Sequence, residues 1–135
     1  MSWQENLLTS TEQIRDLITH TKRIAVLGIK TDAQSDQPSV YVPLYMQKAG
    51  FEIVPVPVYY PDATEILGEK VYRKLTDIPG AIDMVDVFRR PPDIDGHVEE
   101  ILAKQPKSVW FQSGIRNDKA AETFAKAGIK VIQDR

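Results

Sequence analysis

The basic residues that could bind a ligand in this sequence stand just after short apolar runs. Lys30 follows a run that ends at Gly28, the pair Arg89-Arg90 follows a second run, and Arg116 follows a third. Lysine and arginine bind phosphate groups, and arginine forms strong, charge-assisted hydrogen bonds with them. Glycine beside such residues lets the backbone approach a ligand closely. The pattern predicts a site for a ligand that carries phosphate groups.

Few residues in the sequence favour catalysis or metal binding. The chain has no cysteine, which excludes a disulfide, a thiolate zinc site and a catalytic thiol, and it shows no Ser–His–Asp order, zinc-ligand spacing or Walker loop. We interpret His20 as a helix-end residue and His97 as part of a polar helix face. Asp83 and Asp86 bracket an apolar run, and Asp86 is expected to accept hydrogen bonds within the fold. We therefore expect no catalytic residue, no enzymatic activity and no metal site.

Length and charge restrict the class of protein. The chain has 135 residues, 42% of them hydrophobic and 27% charged, which is typical of one globular domain over residues 1–135. Its net charge of −2 gives no general attraction to nucleic acid or to an anionic membrane. Residues 1–11 lack the features of a secretory signal, and no apolar run approaches the ~20 residues of a membrane span. We expect a soluble, cytoplasmic protein, whose oligomeric state the sequence does not reveal.

Strands and helices alternate in the hydrophobic pattern. Five short apolar runs are typical of buried strands. The strands are predicted at residues 23–27, 51–56, 84–88, 108–112 and 129–132. Helical periodicity predicts helices at residues 10–21, 39–49, 94–102 and 117–127.

Capping signals define where the predicted helices begin. Ser39 and Asn117 each stand where an N-cap is expected, and Thr9 with Glu12 has the spacing of a capping box. The long loop before the third strand is expected to hold a short helical piece near residues 69–75. The helix that begins near Ser39 would point free N–H groups toward an anion at its N-terminus.

The order of these elements predicts the fold. Gly50 and Gly128 each end a helix and lead into an apolar strand, so one helix–glycine–strand unit occurs twice. Alternating strands and helices indicate an α/β, Rossmann-like fold with a mainly parallel sheet of about five strands and helices on both faces. Ligands bind such a sheet beyond the carboxyl ends of its strands. The basic residues described above are therefore expected at one edge.

Six segments, in the same order along the chain, carry a resemblance to a known family. They are IAVLG at residues 24–28, GFEIVPV at 50–56, EILGEK at 65–70, VDVFRRP at 85–91, VWFQSGIR at 109–116 and AGIKV at 127–131. With them the sequence resembles the small CoA-binding protein family. The single Rossmann-like domain of that family is similar to the N-terminal domain of the succinyl-CoA synthetase alpha subunit.

The resemblance implies that coenzyme A lies across the strand ends. The residues that would contact it are Gly28, Ile29, Lys30, Ser39, Val40, Pro57, Phe88, Arg89, Arg90, Gln112, Ser113 and Gly114. Within this set the first loop, residues 28–30, would line the phosphate side of the ligand, and Pro57 would border its adenosine.

Three features depart from the pattern of the family. Where the family commonly has Asn-Pro after the second strand, this chain reads VYYP at residues 58–61. The first loop contains Asp32 and Asp36, whose carboxylates would weaken affinity for a polyphosphate. The family usually continues beyond the residues that correspond to Asp134 and Arg135 with a cysteine-containing tail, and this sequence stops there.

The sequence thus predicts a protein that binds CoA or an acyl-CoA without catalysis. In the related synthetase the chemistry needs a phosphorylated histidine from another domain, which this chain lacks. A second hypothesis is a regulatory module that docks on an acyl-CoA-handling enzyme, motivated by the apolar, proline-rich residues 56–61. A third is an NAD(P)-binding oxidoreductase. It is disfavoured because no glycine lies between Gly28 and Gly50 and the second strand ends in Pro-Val-Pro instead of an acid.

Overall fold

The computed structural model describes residues 2–135, and across them seven strands are formed. The strands are β1 (Arg23–Leu27), β2 (Glu52–Val56), β3 (Glu65–Ile66), β4 (Glu69–Lys70), β5 (Met84–Val87), β6 (Ser108–Phe111) and β7 (Lys130–Ile132). Five of them form one sheet in the order β2-β1-β5-β6-β7, and every neighbouring pair in it is parallel. The α/β, Rossmann-like fold expected from the sequence is confirmed.

Four α-helices connect these strands within the described residues. They are α1 (Thr11–Thr19), α2 (Pro38–Lys48), α3 (Val98–Lys104) and α4 (Asp118–Lys126). Short 3₁₀ helices occupy Trp3–Asn6, Asp32–Gln34, Leu75–Asp77 and Pro91–His97. None of the helices in residues 2–135 has the length and apolar character needed to cross a membrane.

The two faces of the sheet are both apolar because side chains alternate along each strand. On one face Ala25 and Val85 belong to a core that also contains Ile101 of α3 and Phe124 of α4. On the other face the apolar side chains of β1, β2 and β5 pack with Leu17 of α1 and Met46 of α2. Helices therefore cover both faces, as predicted.

Two of the predicted helix caps are wrong and one is confirmed. At α1 the capping box uses Ser10 and Gln13, one residue beyond the predicted pair, because Ser10 has the extended backbone that a cap requires. At α2 the N-cap is Gln37, and Pro38 takes the first helical position. Ser39 therefore lies inside the first turn, since proline is well suited to begin a helix. At α4 the side chain of Asn117 accepts from the Ala120 N–H, as expected.

The predicted helical piece near residues 69–75 is also wrong. Strands β3 and β4 form a small antiparallel hairpin there, with Leu67 and Gly68 at positive φ in the turn. A two-residue turn with positive φ at both positions fits the twist of a hairpin. Helical structure follows only at the 3₁₀ turn Leu75–Asp77. The third predicted helix similarly begins as the 3₁₀ helix Pro91–His97 and becomes α-helical at Val98.

Candidate functional site

A groove of about 390 Å³ crosses the carboxyl ends of β1, β5 and β6 beside the first turn of α2. It is lined by Gly28, Lys30, Gln37, Pro38, Ser39, Phe88, Arg89, Arg90, Pro91, Ser113, Gly114 and Ile115. Parallel strands end at the same edge of the sheet, which brings the three loops together. The groove therefore contains most of the residues that the sequence assigns to a ligand.

Gly28 allows two strand ends to meet at this groove. Its φ is +90°, and a Cβ atom at this position would lie 2.3 Å from the carbonyl oxygen of Phe88. Its N–H donates to the carbonyl of Val56 at 2.9 Å. The requirement for glycine therefore comes from the protein's own backbone.

Arg89 is a cation held in place from several sides, with 14% of its side chain exposed. Its Nε donates to Nε2 of His97 at 3.2 Å, and its guanidinium lies 5.7 Å from the ring centroid of Tyr59. One guanidinium nitrogen is 3.8 Å from Oδ2 of Asp93. Contacts of this kind fix the direction of an arginine before a ligand arrives, which lowers the entropy cost of binding.

His97 is itself supported by Glu100. Nδ1 of His97 is 3.2 Å from Oε1 of Glu100, whose other oxygen accepts from the Leu75 N–H at 2.8 Å. Burial raises the pKa of the Glu100 carboxyl, but the hydrogen bonds from His97 and Leu75 outweigh it and leave the pKa below its ordinary value. An ionised Glu100 thus supports the histidine that holds Arg89.

Arg90 is the exposed counterpart of Arg89, with 81% of its side chain accessible to solvent. Its Nε donates to Oδ2 of Asp93 at 3.0 Å. This hydrogen bond, together with the charges of Arg90 and Arg89, holds the pKa of Asp93 below its ordinary value. Exposed ion pairs contribute little free energy. Arg90 can therefore exchange Asp93 for an anionic ligand at small cost.

Lys30 supplies the third cation of the groove, from the loop after β1. Its Nζ donates to Oε1 of Gln37, the residue that precedes α2. An amide partner does not neutralise the ammonium charge, so this cation faces the groove without a carboxylate on it. Asp32, from the same loop, accepts from the Leu67 N–H of the β3–β4 hairpin at 3.1 Å. Neither Asp32 nor Asp36 lines the groove.

The far wall of the groove is the turn that follows β6. The N–H of Ile115 donates to the carbonyl of Gln112 at 2.9 Å, and Gly114 has a φ of +84°. The N–H of Gly114 donates to Oδ1 of Asp134 at 2.6 Å. The space beside Gly114 is open. Ser113 and Gly114 therefore present an exposed, polar turn opposite Lys30.

Four residues predicted to contact the ligand lie outside the groove lining. Ile29, Val40 and Pro57 are buried, and the N–H of Val40 already donates to the carbonyl of Gln37. The side-chain amide of Gln112 donates a hydrogen bond to Oδ1 of Asp86 on β5. Their contacts with a ligand stay predictions.

Arg116, the fourth basic residue of the sequence pattern, does not reach the groove. Its Nε lies 3.0 Å from Oδ1 of Asp118, and its side chain is 62% exposed. It stands beyond the turn after β6, at the beginning of α4.

Sequence reasoning missed the residues that position the cations. His97, which was assigned to a polar helix face, has an 18% exposed side chain behind Arg89. Arg73 donates to the carbonyls of Tyr59, Tyr60 and Ala63 and so holds the loop where this sequence departs from the family. These contacts join distant segments, so no local spacing signals them. Gln37 could have been recognised, because it precedes a proline at a helix start.

The groove is suited to anion binding. It combines three cations with the beginning of a helix, and such groups bind phosphate. Within residues 2–135, no group of three or more histidine, aspartate or glutamate side chains is arranged to hold a metal ion.

Solved structures share this fold. A protein from Thermus thermophilus is 36% identical, with a TM-score of 0.85 over 94% of this chain and 92% of that one. A hypothetical protein from Pyrococcus horikoshii is 32% identical, with a TM-score of 0.83 over 94% of this chain and 86% of that one. The dinucleotide-forming acetyl-coenzyme A synthetase 1 of Candidatus Korarchaeum cryptofilum shares the fold alone. It is 19% identical, with a TM-score of 0.64 over 82% of this chain and 25% of that one.

Sequence comparisons agree with these structures. The uncharacterized protein YneT of Bacillus subtilis is 38% identical over 125 residues, which are 93% of this chain and 89% of that protein. The profile of a family described as a CoA binding domain matches residues 22–135. The resemblance found in the six sequence segments is therefore confirmed, and the chain belongs to the CoA-binding domain family.

Proposed function

We propose that this protein binds CoA or an acyl-CoA in the groove at the strand ends and catalyses no reaction by itself. The observation that carries the proposal is the meeting of Lys30, Arg89 and Arg90 around one groove in a chain of the CoA-binding domain family. CoA carries a pyrophosphate and a 3′-phosphate, so it offers several anionic groups to these cations. Arginine and lysine bind such groups through charge-assisted hydrogen bonds.

The three cations suit different tasks. Arg89 is fixed by His97 and Tyr59, so it can direct one phosphate without rearrangement. Arg90 is exposed and paired only with Asp93, so it can turn to follow the ligand. Lys30 has an amide partner and keeps its full charge for the ligand. Ser113 and Gly114 would line the opposite side.

The proposal of binding without catalysis rests on where the reactive groups lie. His97 is bonded on both ring nitrogens, to Arg89 and Glu100. His20 lies outside the groove, with Nδ1 2.9 Å from the Asp16 carbonyl. No histidine of the described residues therefore lines the groove, which supports binding without catalysis.

A second candidate is a regulatory module that docks on an acyl-CoA-handling enzyme. It is favoured by the exposed aromatic side chains of α2, Tyr41 at 49% and Tyr45 at 75% exposure. Aromatic residues are enriched at protein interfaces. The stretch that first motivated this hypothesis contributes less, since Val56 and Pro57 are buried and Tyr59 lies against Arg89.

Thermal melting with a panel of nucleotides tests the first proposal. CoA, 3′-dephospho-CoA, ATP and NAD would be compared at equal concentration and moderate salt. A ligand at one hundred times its Kd stabilises the folded state by about 2.7 kcal/mol, a shift of several degrees in a domain of this size. We expect the largest shift with CoA. Equal shifts with all four ligands, or none with CoA, would refute specific CoA binding and favour the docking module.

A further inference from the structure

A second cavity, of about 330 Å³, lies between α1 and α2 over the sheet face formed by β1, β5 and β6. Its walls are mostly apolar. They are formed by Ile18, Thr21, Ile24, Val42, Met46, Phe51, Met84, Asp86, Trp110, Gln112 and Arg135. Its volume is at the lower end of the range seen for small-molecule sites. It shares no lining residue with the strand-end groove, so the two cavities are separate.

Two buried polar atoms, on side chains that line this cavity, have no partner in the described chain. Asp86 is 1% exposed, and only its Oδ1 accepts a hydrogen bond, from the amide of Gln112. Its Oδ2 is buried and unpaired, and so is Nε1 of Trp110. Buried polar groups are nearly always paired, because leaving them unpaired costs free energy. The two free atoms therefore indicate a hydrogen-bonding occupant.

The positions of these atoms define the chemistry of the occupant. Asp86 and Trp110 are opposite each other in the register of β5 and β6, so both side chains stand on the same face. One offers an acceptor and the other a donor. A hydroxyl group satisfies both, since its hydrogen donates to the carboxylate and its oxygen accepts from the indole.

Two other polar residues around the cavity, Thr21 and Arg135, each donate to a backbone carbonyl of the protein. The hydroxyl of Thr21 donates to the Leu17 carbonyl at 2.8 Å, and Arg135 donates to the Thr9 carbonyl at 2.7 Å. A ligand carboxylate would be repelled by the Asp86 carboxylate. An ammonium group would leave the Trp110 donor unpaired, because it has no acceptor.

We propose that this cavity binds a small, uncharged, largely apolar molecule with one hydroxyl group, which donates to Oδ2 of Asp86 and accepts from Nε1 of Trp110. A phenol or a short-chain alcohol is the simplest member of this class. The apolar body would pack against Val42, Met46 and Met84. The proposal does not depend on CoA binding, since the two cavities are separate.

The chain offers an internal control for a test by nuclear magnetic resonance. It has two tryptophans, Trp3 and Trp110, and Trp3 does not line the cavity. The indole N–H signals of the isotope-labelled protein would be followed during titration with para-ethylphenol. We expect the Trp110 signal to move in a saturable way while the Trp3 signal stays in place. The matched ether para-ethylanisole, which cannot donate, is expected to bind at least tenfold more weakly.

Three variants test where the molecule binds and which group it contacts. Val42→Phe adds bulk at the cavity wall and is expected to abolish the shift, whereas Tyr45→Phe, on the exposed side of α2, should leave it unchanged. Asp86→Leu is expected to remove the preference for the phenol over the ether. Equal affinity for phenol and ether in the unmodified protein would overturn the proposed role of the hydroxyl group. A Trp110 signal that never moves would overturn the proposal as a whole, because it would show that the cavity binds neither molecule.

Discussion

The strand-end groove and the cavity between α1 and α2 both lie against strands β1, β5 and β6, yet their polar groups differ in whether they have hydrogen-bonding partners. In the groove, Arg89 and Arg90 share the carboxylate of Asp93 and remain partly or largely open to solvent. In the cavity, Asp86 and Trp110 hold buried atoms with no partner. Water and exposed counter-ions can satisfy the groove without a ligand. The unpaired atoms of the cavity can be satisfied only by a molecule bound inside it. We therefore expect ligand binding in the groove to depend on ionic strength, whereas the properties of the cavity should depend on pH through Asp86.

The largest effect is expected at the floor of the groove, from Gly28→Ala. The added Cβ would meet the Phe88 carbonyl at 2.3 Å with φ at +90°, and the combined clash and backbone strain should destabilise the fold by about 3–5 kcal/mol. Gly114→Ala is the matched control, because its φ is +84° but the space beside it is open. It should cost only about 1 kcal/mol. Denaturant unfolding measures both, and equal losses would contradict the proposed packing of the two strand ends.

The next largest effect is a pH dependence of the free energy of unfolding, which arises from Asp86 in the cavity and not from the groove. Burial raises the pKa of Asp86 from 3.8 to about 7, although the hydrogen bond from Gln112 opposes the rise. Because the folded-state pKa lies above the unfolded value, the contribution of Asp86 is full below pH 3.8 and is lost as pH rises through about 7. The free energy of unfolding should fall by about 2–3 kcal/mol from about pH 5 to about pH 8. Asp86→Asn should remove most of this fall, and parallel pH profiles of the two proteins would show that Asp86 is not the cause.

A smaller effect is expected from the cations of the groove. Arg90→Ala should weaken CoA binding about tenfold, because it removes one charge-assisted hydrogen bond to a phosphate. Arg116→Ala changes the net charge equally, but Arg116 lies outside the groove beside Asp118, so it should leave the affinity nearly unchanged. Calorimetric titration measures both, and comparable losses would mean that only net charge matters.

The smallest effect on CoA affinity is expected when the side chain that positions Arg89 is removed. His97→Leu removes the acceptor for its Nε, so CoA affinity should fall about threefold as the guanidinium gains freedom. His20→Leu, at the other end of the sheet, is the control and should have no effect on CoA affinity. A loss of stability in the His97 variant with unchanged CoA affinity would assign His97 to the fold alone.

Much of the fold and of the strand-end groove can be predicted from the sequence because the relevant signals are local. Apolar runs such as residues 24–27 define the strands, and parallel strands must end at one edge, which is enough to bring Lys30 toward Arg89. The hairpin at β3–β4 was missed because its two short strands have no extended alternation, and its turn uses Leu67 at a positive φ, which sequence rarely signals.

Several features of the site could not be predicted from the sequence because they depend on long-range contacts. His97 supports Arg89, and Arg73 holds the loop after β2, only because the chain folds back on itself. The unpaired atoms of Asp86 and Trp110 likewise depend on how α1 and α2 cover the sheet. Such properties belong to the packing of separate elements and have no signature in residue spacing.

CoA is proposed to bind in the strand-end groove and not in the cavity between α1 and α2. Backbone amide signals and the Trp110 indole signal, recorded together during a CoA titration, test this proposal most directly. We expect saturable shifts of the Lys30, Ser113 and Gly114 amide signals, with the Trp110 indole signal unchanged. Shifts confined to the cavity, or no shifts at the groove in a large excess of CoA, would contradict it.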